Sequence, residues 1–248
     1  MKIGIISDIH YEFGECELHW SEPMDVLVVA GDVATKPSIV ALNLAVIQKM
    51  VQVPVVFVLG NHEYYGGTLP GSTFEYASKL HNLPNIHMLD RKEWVYGDVR
   101  FLGATLWSDL SNPMDAMNAR AGISDYHTIN NAEGYLLTPE DTTNEWHKAN
   151  KYLTEQLHNH TFDGKTVVVT HHAPSRVTTP DQFRGNRLQP AFSSRMDDLI
   201  RETEPDLWVY GHDHHTAEHR IGNTRLVSCQ AGYPYERREP VKIQVVEI

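Results

Sequence analysis

The amino-acid sequence predicts an α/β fold in which a parallel βαβ core gives way to a second sheet with antiparallel strands. Two patterns predict it. Over residues 24–59, short apolar runs rich in β-branched residues alternate with one stretch of helical periodicity, as a parallel unit requires. From residue 93 onward, paired runs are joined by turn residues, as hairpins require. A third observation places the chemistry. Five times along the chain an apolar run ends in glycine, carboxylate, amide or imidazole groups. Such groups gather at the carboxyl edge of a sheet, where α/β proteins hold their ligands.

The first run, residues 3–6, ends in Ser7-Asp8-Ile9-His10. In extended backbone, residues two apart share a face, so Asp8 and His10 are expected to reach one ion. Residues 11–23 are polar and irregular, a loop expected near the mouth of the site. Residues 24–30 form the second run and stop at Gly31-Asp32. Residues 38–51 carry Ile39, Leu42, Ala45, Val46 and Met50 near helical spacing, and Pro37 suits the first turn of that helix. The run 55–59 is uniformly apolar and reads as a strand buried on both faces. Gly60 then lets the backbone turn, and Asn61, His62 and Glu63 emerge at the sheet edge.

A helix is expected over 74–83, a short strand over 86–89, and a hairpin from 93–96 and 99–102 around Gly97-Asp98. Residues 105–157 are the least regular and read as a partly helical, cap-like excursion over the site. Within it, Tyr126 and His127 are candidates for contact with the substrate or with the ligating residues. Residues 139–157 read as a helix, with Thr138 as its cap and Glu140 and Asp141 in the first turn. The strand 166–170 ends in His171-His172-Ala173-Pro174, a helix covers 190–201, and the strand 207–210 ends in Gly211-His212-Asp213-His214-His215. A hairpin of 217–221 and 224–227 and a last strand over 241–246 complete the chain. No repeat, low-complexity tract or linker divides it, so one domain over 1–248 is expected.

Composition narrows the function. With 248 residues the chain can bury a large core, and 41% hydrophobic with 21% charged residues is ordinary for a globular protein. Its net charge of 21 − 32 = −11 disfavours salt-driven binding to long nucleic acid, though divalent metals could reverse the sign locally for a phosphate. Arg184, Arg187, Arg195, Arg237 and Arg238 could form a phosphate-contacting patch, but a solvated surface explains them as well. Cys16 and Cys229 give no disulfide framework. The N-terminus turns polar too soon for a signal peptide, and no apolar run is long enough to span a membrane. A cytoplasmic location is expected.

The strand-end groups are Asp8, His10, Asp32, Asn61, His62, His171, His212 and His214. Nitrogen and oxygen donors without thiolate suit Mn²⁺, Fe or Zn²⁺. They outnumber what one tetrahedral ion needs. Two ions about 3.5–4 Å apart, sharing one carboxylate, would use them all, clamp a phosphate and make water a hydroxide nucleophile for in-line attack. Each motif alone also suits an ordinary turn or polar strand end; five at consecutive strand ends do not.

In order, Asp8-x-His10, Gly31-Asp32, Gly60-Asn61-His62-Glu63, His171 and Gly211-His212-x-His214 resemble the motif set of the calcineurin-like metallophosphoesterases. The resemblance implies a four-layer αββα sandwich of two mixed sheets flanked by helices. It implies that Asp8, His10, Asp32 and His214 hold one metal, and that Asp32, Asn61, His171 and His212 hold the other, with Asp32 bridging. His171 is preferred to His172 because it directly follows the strand, where the family has its single histidine. His62 is implied to protonate the leaving oxygen or stabilise the transition state, with Glu63 orienting it. Manganese is the favoured metal, with iron, zinc or nickel as others. Gly31-Asp32 continues as Val33-Ala34-Thr35-Lys36, without the arginine of the phosphoprotein phosphatases. The chain therefore looks like a small phosphodiesterase acting on a small-molecule or nucleotide phosphoester, with no membrane partner; its oligomeric state stays open. A nuclease acting on DNA or RNA ends, a phosphomonoesterase, and a non-catalytic scaffold of the same fold are the alternatives.

Overall fold

A computed structural model describes residues 1–159, 161–237 and 240–248. The first sheet is five-stranded, with β1 Lys2–Ile6, β3 Val26–Val29, β4 Val55–Phe57, β5 Ile86–Met88 and β13 Gln244–Glu247 in the order β13-β1-β3-β4-β5. Strands β1, β3, β4 and β5 are parallel neighbours, and only β13 runs against β1. The second sheet comprises β6 Lys92–Tyr96, β7 Val99–Ala104, β8 Lys165–Thr170, β9 Leu207–Val209, β10 Ala217–Ile221 and β11 Thr224–Ser228. Its six strands lie in the order β10-β11-β9-β8-β7-β6. Hairpins β6–β7 and β10–β11 are antiparallel and flank the parallel strands β7, β8, β9 and β11. Helices flank the two mixed sheets, giving the expected αββα sandwich. The apolar residues of β1, β3, β4, β8 and β9 are fully buried, as expected for parallel strands covered on both faces. No helix among the described residues is long and apolar enough to cross a membrane.

The topology positions the site. Because β1, β3 and β4 are adjacent and parallel, the segments that begin with Ser7, Ala30 and Val58 leave the first sheet at the same edge. Strands β8 and β9 are likewise adjacent and parallel, so their ends meet that edge from the second sheet.

Several expected elements are redrawn. Helix α1, Pro37–Val51, forms with proline in its first turn, but it buries Val40, Leu44 and Ile47 and leaves Ile39, Leu42, Val46 and Met50 exposed. Both faces of this helix are apolar, so periodicity alone does not choose between them. The helix expected over 74–83 begins and ends three residues earlier, as α2 Gly71–Leu80. The helix expected over 190–201 is two, α6 Gln189–Phe192 and α7 Asp197–Thr203. Between them the backbone turns to pair with the loop after β8: Ala173 N donates to Phe192 O, Ser194 N to Ala173 O, and Met196 N to Pro174 O. The last strand is also two, with β12 Val241–Lys242 paired to β2 Leu18–His19, so residues 11–23 are not wholly irregular.

The stretch 105–157 contains α3 Pro113–Gly122, α4 Asp125–Thr128 and α5 Pro139–Leu157. Helix α5 begins with a capping box: Thr138 Oγ1 accepts from Asp141 N, and Asp141 Oδ2 accepts from Thr138 N. It buries Trp146, Ala149, Leu153 and Leu157 against the second sheet, so this half of the stretch is core, not cap. Only the part around α4 reaches the site. The side chain of Tyr126 points away from the site, its hydroxyl 3.0 Å from Thr142 Oγ1, and His127 is exposed.

Candidate metal centre

Five candidate ligands sit in the left-handed backbone region: Asp8, His10, Asp32, His212 and His214, at φ of 55, 53, 53, 80 and 51°. This corrects the expectation that an extended pleat delivers Asp8 and His10 together. Asp and His tolerate the region better than most residues, yet such a cluster persists only where surrounding structure enforces it, typically at functional sites. Gly31 and Gly60 allow the loops after β3 and β4 to touch. A Cβ on Gly31, itself at φ +92°, would lie 2.7 Å from Gly60 N; one on Gly60 would lie 2.7 Å from Asp32 N. Close approach, more than a turn conformation, is what Gly60 provides.

Among the described residues, three close groups of donors result; one, His10, Asp32 and His62, shares a residue with each of the other two, which hold the candidate ligands. Asp8, His10 and His214 form one, with His10 Nε2 3.0 Å from His214 Nε2 and His214 Nε2 3.7 Å from Asp8 Oδ1. Asp32, His171, His212 and Asn61 form the other, with Asn61 Oδ1 2.9 Å from His171 Nε2 and 3.1 Å from His212 Nδ1, and His171 Nε2 3.5 Å from Asp32 Oδ1. Asp32 joins them, since its Oδ2 lies 3.7 Å from His10 Nε2. Donors about 2.1 Å from a common ion stand roughly 3.0–3.4 Å apart at right or tetrahedral angles.

Hydrogen-bond chemistry tests whether cations fit. His10 Nδ1 faces Glu12 Oε1 at 3.1 Å, His214 Nδ1 faces Glu236 Oε2 at 2.7 Å, and His171 Nδ1 faces the Ala30 carbonyl at 2.8 Å. These oxygens only accept, so each Nδ1 carries the hydrogen and each neutral ring turns a bare Nε2 lone pair inward. Asn61 is oriented the same way. Its Nδ2 donates to Asp125 Oδ1 at 2.8 Å, so its Oδ1 points at His171 Nε2. Lone pairs thus confront lone pairs at 2.9 and 3.0 Å, an arrangement that repels unless a cation lies between them. The donor set fits two divalent cations.

Electrostatics agree. Burial, and then the neighbouring imidazoles, hold His212 well below the usual histidine range; burial also lowers His10 and brings His171 to about 3. The rings are therefore neutral and free to ligate. Burial, then the charges of Glu63 and Asp8, push Asp32 well above the ordinary carboxylate range. A cation at that point reverses this logic.

His62 stands beside both groups. Its Nε2 is 4.0 Å from Asp32 Oδ2, and its ring stacks on Tyr65 with centroids 4.2 Å apart. The carboxylate on its Nδ1 is Glu12, at 2.7 Å, and not Glu63 as expected. Burial opposes ionisation of Glu12, but the hydrogen bonds from His10 and His62 outweigh it and hold its carboxyl at about 2. Glu63 instead accepts four backbone N–H groups, from Gly60 at 2.6 Å, Val33 at 2.7 Å, Asp32 at 2.9 Å and Ala34 at 3.2 Å. It ties the loops after β3 and β4 together. Glu63→Ala should therefore cost at least about 3 kcal/mol, because four buried amides lose their shared acceptor. Urea unfolding of the variant checks this, and a change within about 0.5 kcal/mol, the effect of an ordinary surface substitution, would contradict the role.

His171, not His172, enters the donor set: His172 Nδ1 lies 3.3 Å from the Thr105 carbonyl and its ring packs on His212 and Trp107. Tyr126 and His127 do not line the cleft above the donors, whereas their neighbour Asp125 does. Asp125 accepts from both Asn61 Nδ2 and the Tyr65 hydroxyl, at 2.8 and 2.9 Å. Groups that orient a ligand typically contribute about 10–100-fold to metal affinity. Asp125→Ala should weaken one of two ions by that factor in a competitive chelator titration, with the other unchanged; unaltered affinity of both ions would remove Asp125 from this role. Sequence reading missed Glu12, Asp125, Tyr65, Tyr233 and Glu236. Only Glu12, two residues beyond a candidate ligand, carried a local signal. Of the five arginines, Arg237 donates to the Ile9 and Glu15 carbonyls, Arg184 pairs with Asp181, and Arg187 and Arg195 are exposed; Arg238 lies outside the described residues.

The chain is 28% identical over 262 residues to the uncharacterized protein L509 of Acanthamoeba polyphaga mimivirus, covering 94% of this chain and 91% of that one. Its fold is similar to the crystal structure of phosphopantetheinyl hydrolase from Mycobacterium tuberculosis, with a TM-score of 0.71 at 19% identity over 99% and 95% of the two chains. It is also similar to TT1561 of Thermus thermophilus, with a TM-score of 0.56 at 14% identity over 92% and 88%. The sequence model of one family spans residues 1–216, through every strand end that carries a donor, and by that match the chain belongs to the calcineurin-like phosphoesterases.

Proposed function

We propose that this protein is a phosphodiesterase that works with two divalent metal ions. Family membership supports metal-dependent phosphoester hydrolysis, and the family implies divalent metals. The observation that carries the reading is the pair of inward-facing donor groups joined by Asp32, each with lone pairs opposed at about hydrogen-bond distance. Asp8, His10, Asp32 and His214 would hold one ion, and Asp32, Asn61, His171 and His212 the other. Bound ions supply Lewis acidity, polarising a phosphoryl oxygen and making water a nucleophile at neutral pH. Manganese is the metal proposed, on the oxygen and imidazole character of the donors.

The chain's own residues do the rest. Glu12 fixes His62 with hydrogen at Nδ1 and leaves Nε2 facing the donor groups. Protonated, His62 can give its Nε2 proton to a departing alkoxide, and Glu12 stabilises the cation that this requires. Tyr65 and Tyr233 wall His62, with Tyr233 also 4.7 Å from the His10 ring. A diester is favoured because the cleft over the donors has a volume of ≈ 660 Å³, room for a substrate with two ester arms. The complete donor set, with His62 beside it, favours catalysis over a scaffold role.

The test is metal analysis together with hydrolysis of bis(p-nitrophenyl) phosphate and p-nitrophenyl phosphate under Mn²⁺, Fe²⁺, Zn²⁺ and Ni²⁺. Two equivalents of metal and a preference for the diester are expected. Faster monoester turnover would make it a phosphomonoesterase. An absence of metal binding and turnover would leave the scaffold reading.

A further inference from the structure

The cleft above the donors has an uneven chemistry. Its charged lining residues are all acids: Asp32, Asp125, Asp213 and Glu236. Among the described residues, no lysine or arginine lines it. Three described arginines adjoin lining residues in sequence without lining the cleft themselves: Arg184, ion-paired with Asp181 at 3.2 Å and with its Nε toward the Thr179 carbonyl; Arg187, exposed; and Arg237, which donates to the Ile9 and Glu15 carbonyls. The acids are not idle either. Asp125 is committed to Asn61 and Tyr65, Asp213 accepts from Gln230 and the His215 amide, and Glu236 accepts from His214 and the Tyr233 amide. The wall away from the donors is neutral. Ile123, Phe183 and Leu188 give it an apolar surface, continued by Phe192 whose ring packs 4.9 Å from that of His212, and Gln182 and Asn186 give it amide groups.

A nucleic-acid end or a nucleoside polyphosphate carries more than one phosphate. One phosphate can sit at the donor groups, but a second would then enter a cleft that offers carboxylates and, among the described residues, no lysine or arginine. Proteins that take polyanions place lysine or arginine along the path of the phosphates. An uncharged group meets no such penalty, and apolar side chains with a few amides are the usual lining for one.

Resting on the phosphodiesterase reading, we infer that the substrate carries a single phosphate and that its other ester arm is uncharged and amphipathic, an apolar chain bearing amide or hydroxyl groups. In the reaction, a water oxygen forms a bond to phosphorus and gives up a proton to solvent, the bond to the leaving oxygen breaks, that oxygen takes a proton from His62 and departs as the alcohol, and the monoester of the retained arm is released.

The experiment uses nitrophenyl phosphodiesters that share one leaving group and differ in the second arm: methyl, N-acylaminoalkyl, the same chain ending in phosphate, and the same chain ending in ammonium. The neutral amide arm should lower KM at least tenfold below the methyl ester, and the phosphate-ended arm should raise it at least tenfold above the neutral one. Phe183→Ala should raise KM for the amide arm more than for the methyl ester. Gln182→Lys, at an exposed lining position, should improve the phosphate-ended arm selectively. Equal KM for the methyl and amide arms overturns the inference, as does a phosphate-ended arm that matches or exceeds the neutral one. A preference for the ammonium arm overturns it too, by making the acids the recognition element. If the methyl ester is not hydrolysed with any metal, the phosphodiesterase reading fails. Calorimetric binding of the same compounds to the metal-loaded protein still ranks the arms, so the two failures are distinguishable.

Discussion

Asp32→Ala is expected to remove both metal ions and nearly all activity, because one carboxylate faces both donor groups. It lies 3.7 Å from His10 Nε2 and 3.5 Å from His171 Nε2. The stability consequence changes sign with metal. In the metal-loaded protein, losing ligands that bind only the folded state removes about 2.7 kcal/mol if metal stands at 100 times its dissociation constant. In chelator the balance reverses. Asp32 is then a buried carboxylate, destabilised first by burial and next by the charges of Glu63 and Asp8. The isosteric Asp32→Asn keeps an acceptor for the His62 amide, which Asp32 Oδ1 holds at 2.9 Å, and removes the buried charge. Its melting temperature should be at or above that of the parent in chelator and below it in metal. Two ions retained in Asp32→Ala, or the same rank order of melting temperature in both conditions, would end the bridging assignment.

His62→Asn should keep both ions and lose about 10²–10⁴-fold in kcat on an alkyl diester, whose leaving oxygen needs a proton. It should lose less on a nitrophenyl diester, whose leaving group departs unaided. Equal losses on both would instead make His62 an electrostatic stabiliser of charge on the phosphoryl oxygens. Glu12→Gln refines the test. Its amide oxygen can still accept from His62 Nδ1, 2.7 Å away in the parent, but it brings no charge to stabilise an imidazolium. The same leaving-group pattern at reduced size, with metal content intact, places Glu12 behind His62. Loss of a metal would place its effect on His10, which the same oxygen contacts at 3.1 Å.

The donor set was legible because chemistry and topology coincide in the sequence. Every candidate ligand stands directly after an apolar run or within a few residues of one, and parallel strands send their carboxyl ends to one edge. His171, which directly follows β8, faces Asn61 and Asp32, whereas His172 turns to the Thr105 carbonyl. The face of α1 was not legible. Ile39, Leu42, Val46 and Met50 repeat as helical neighbours just as Val40, Leu44 and Ile47 do, and only docking on the sheet selected the second set.

The partners of the ligands were decided by the tertiary structure alone. Glu63 is next to His62 in the chain, and adjacency suggested a pair. Yet the short 3-10 turn His62–Tyr64 sends consecutive side chains in different directions, so Glu63 turns inward to four amides. The carboxylate that reaches His62 comes from another 3-10 turn, Tyr11–Phe13, fifty positions away. Likewise Asp125 meets Asn61 across sixty-four positions, while Tyr126 beside it faces the opposite way. The sequence by itself determined the strands that carry the donors and the residue types at their ends, because strand periodicity and residue type are local properties; the short pair β2 and β12 escaped it. Which carboxylate holds which imidazole, and where the left-handed residues aim their side chains, are set by contacts between segments far apart in sequence. Apart from Glu12 beside His10, two residues on, no local pattern encodes those contacts.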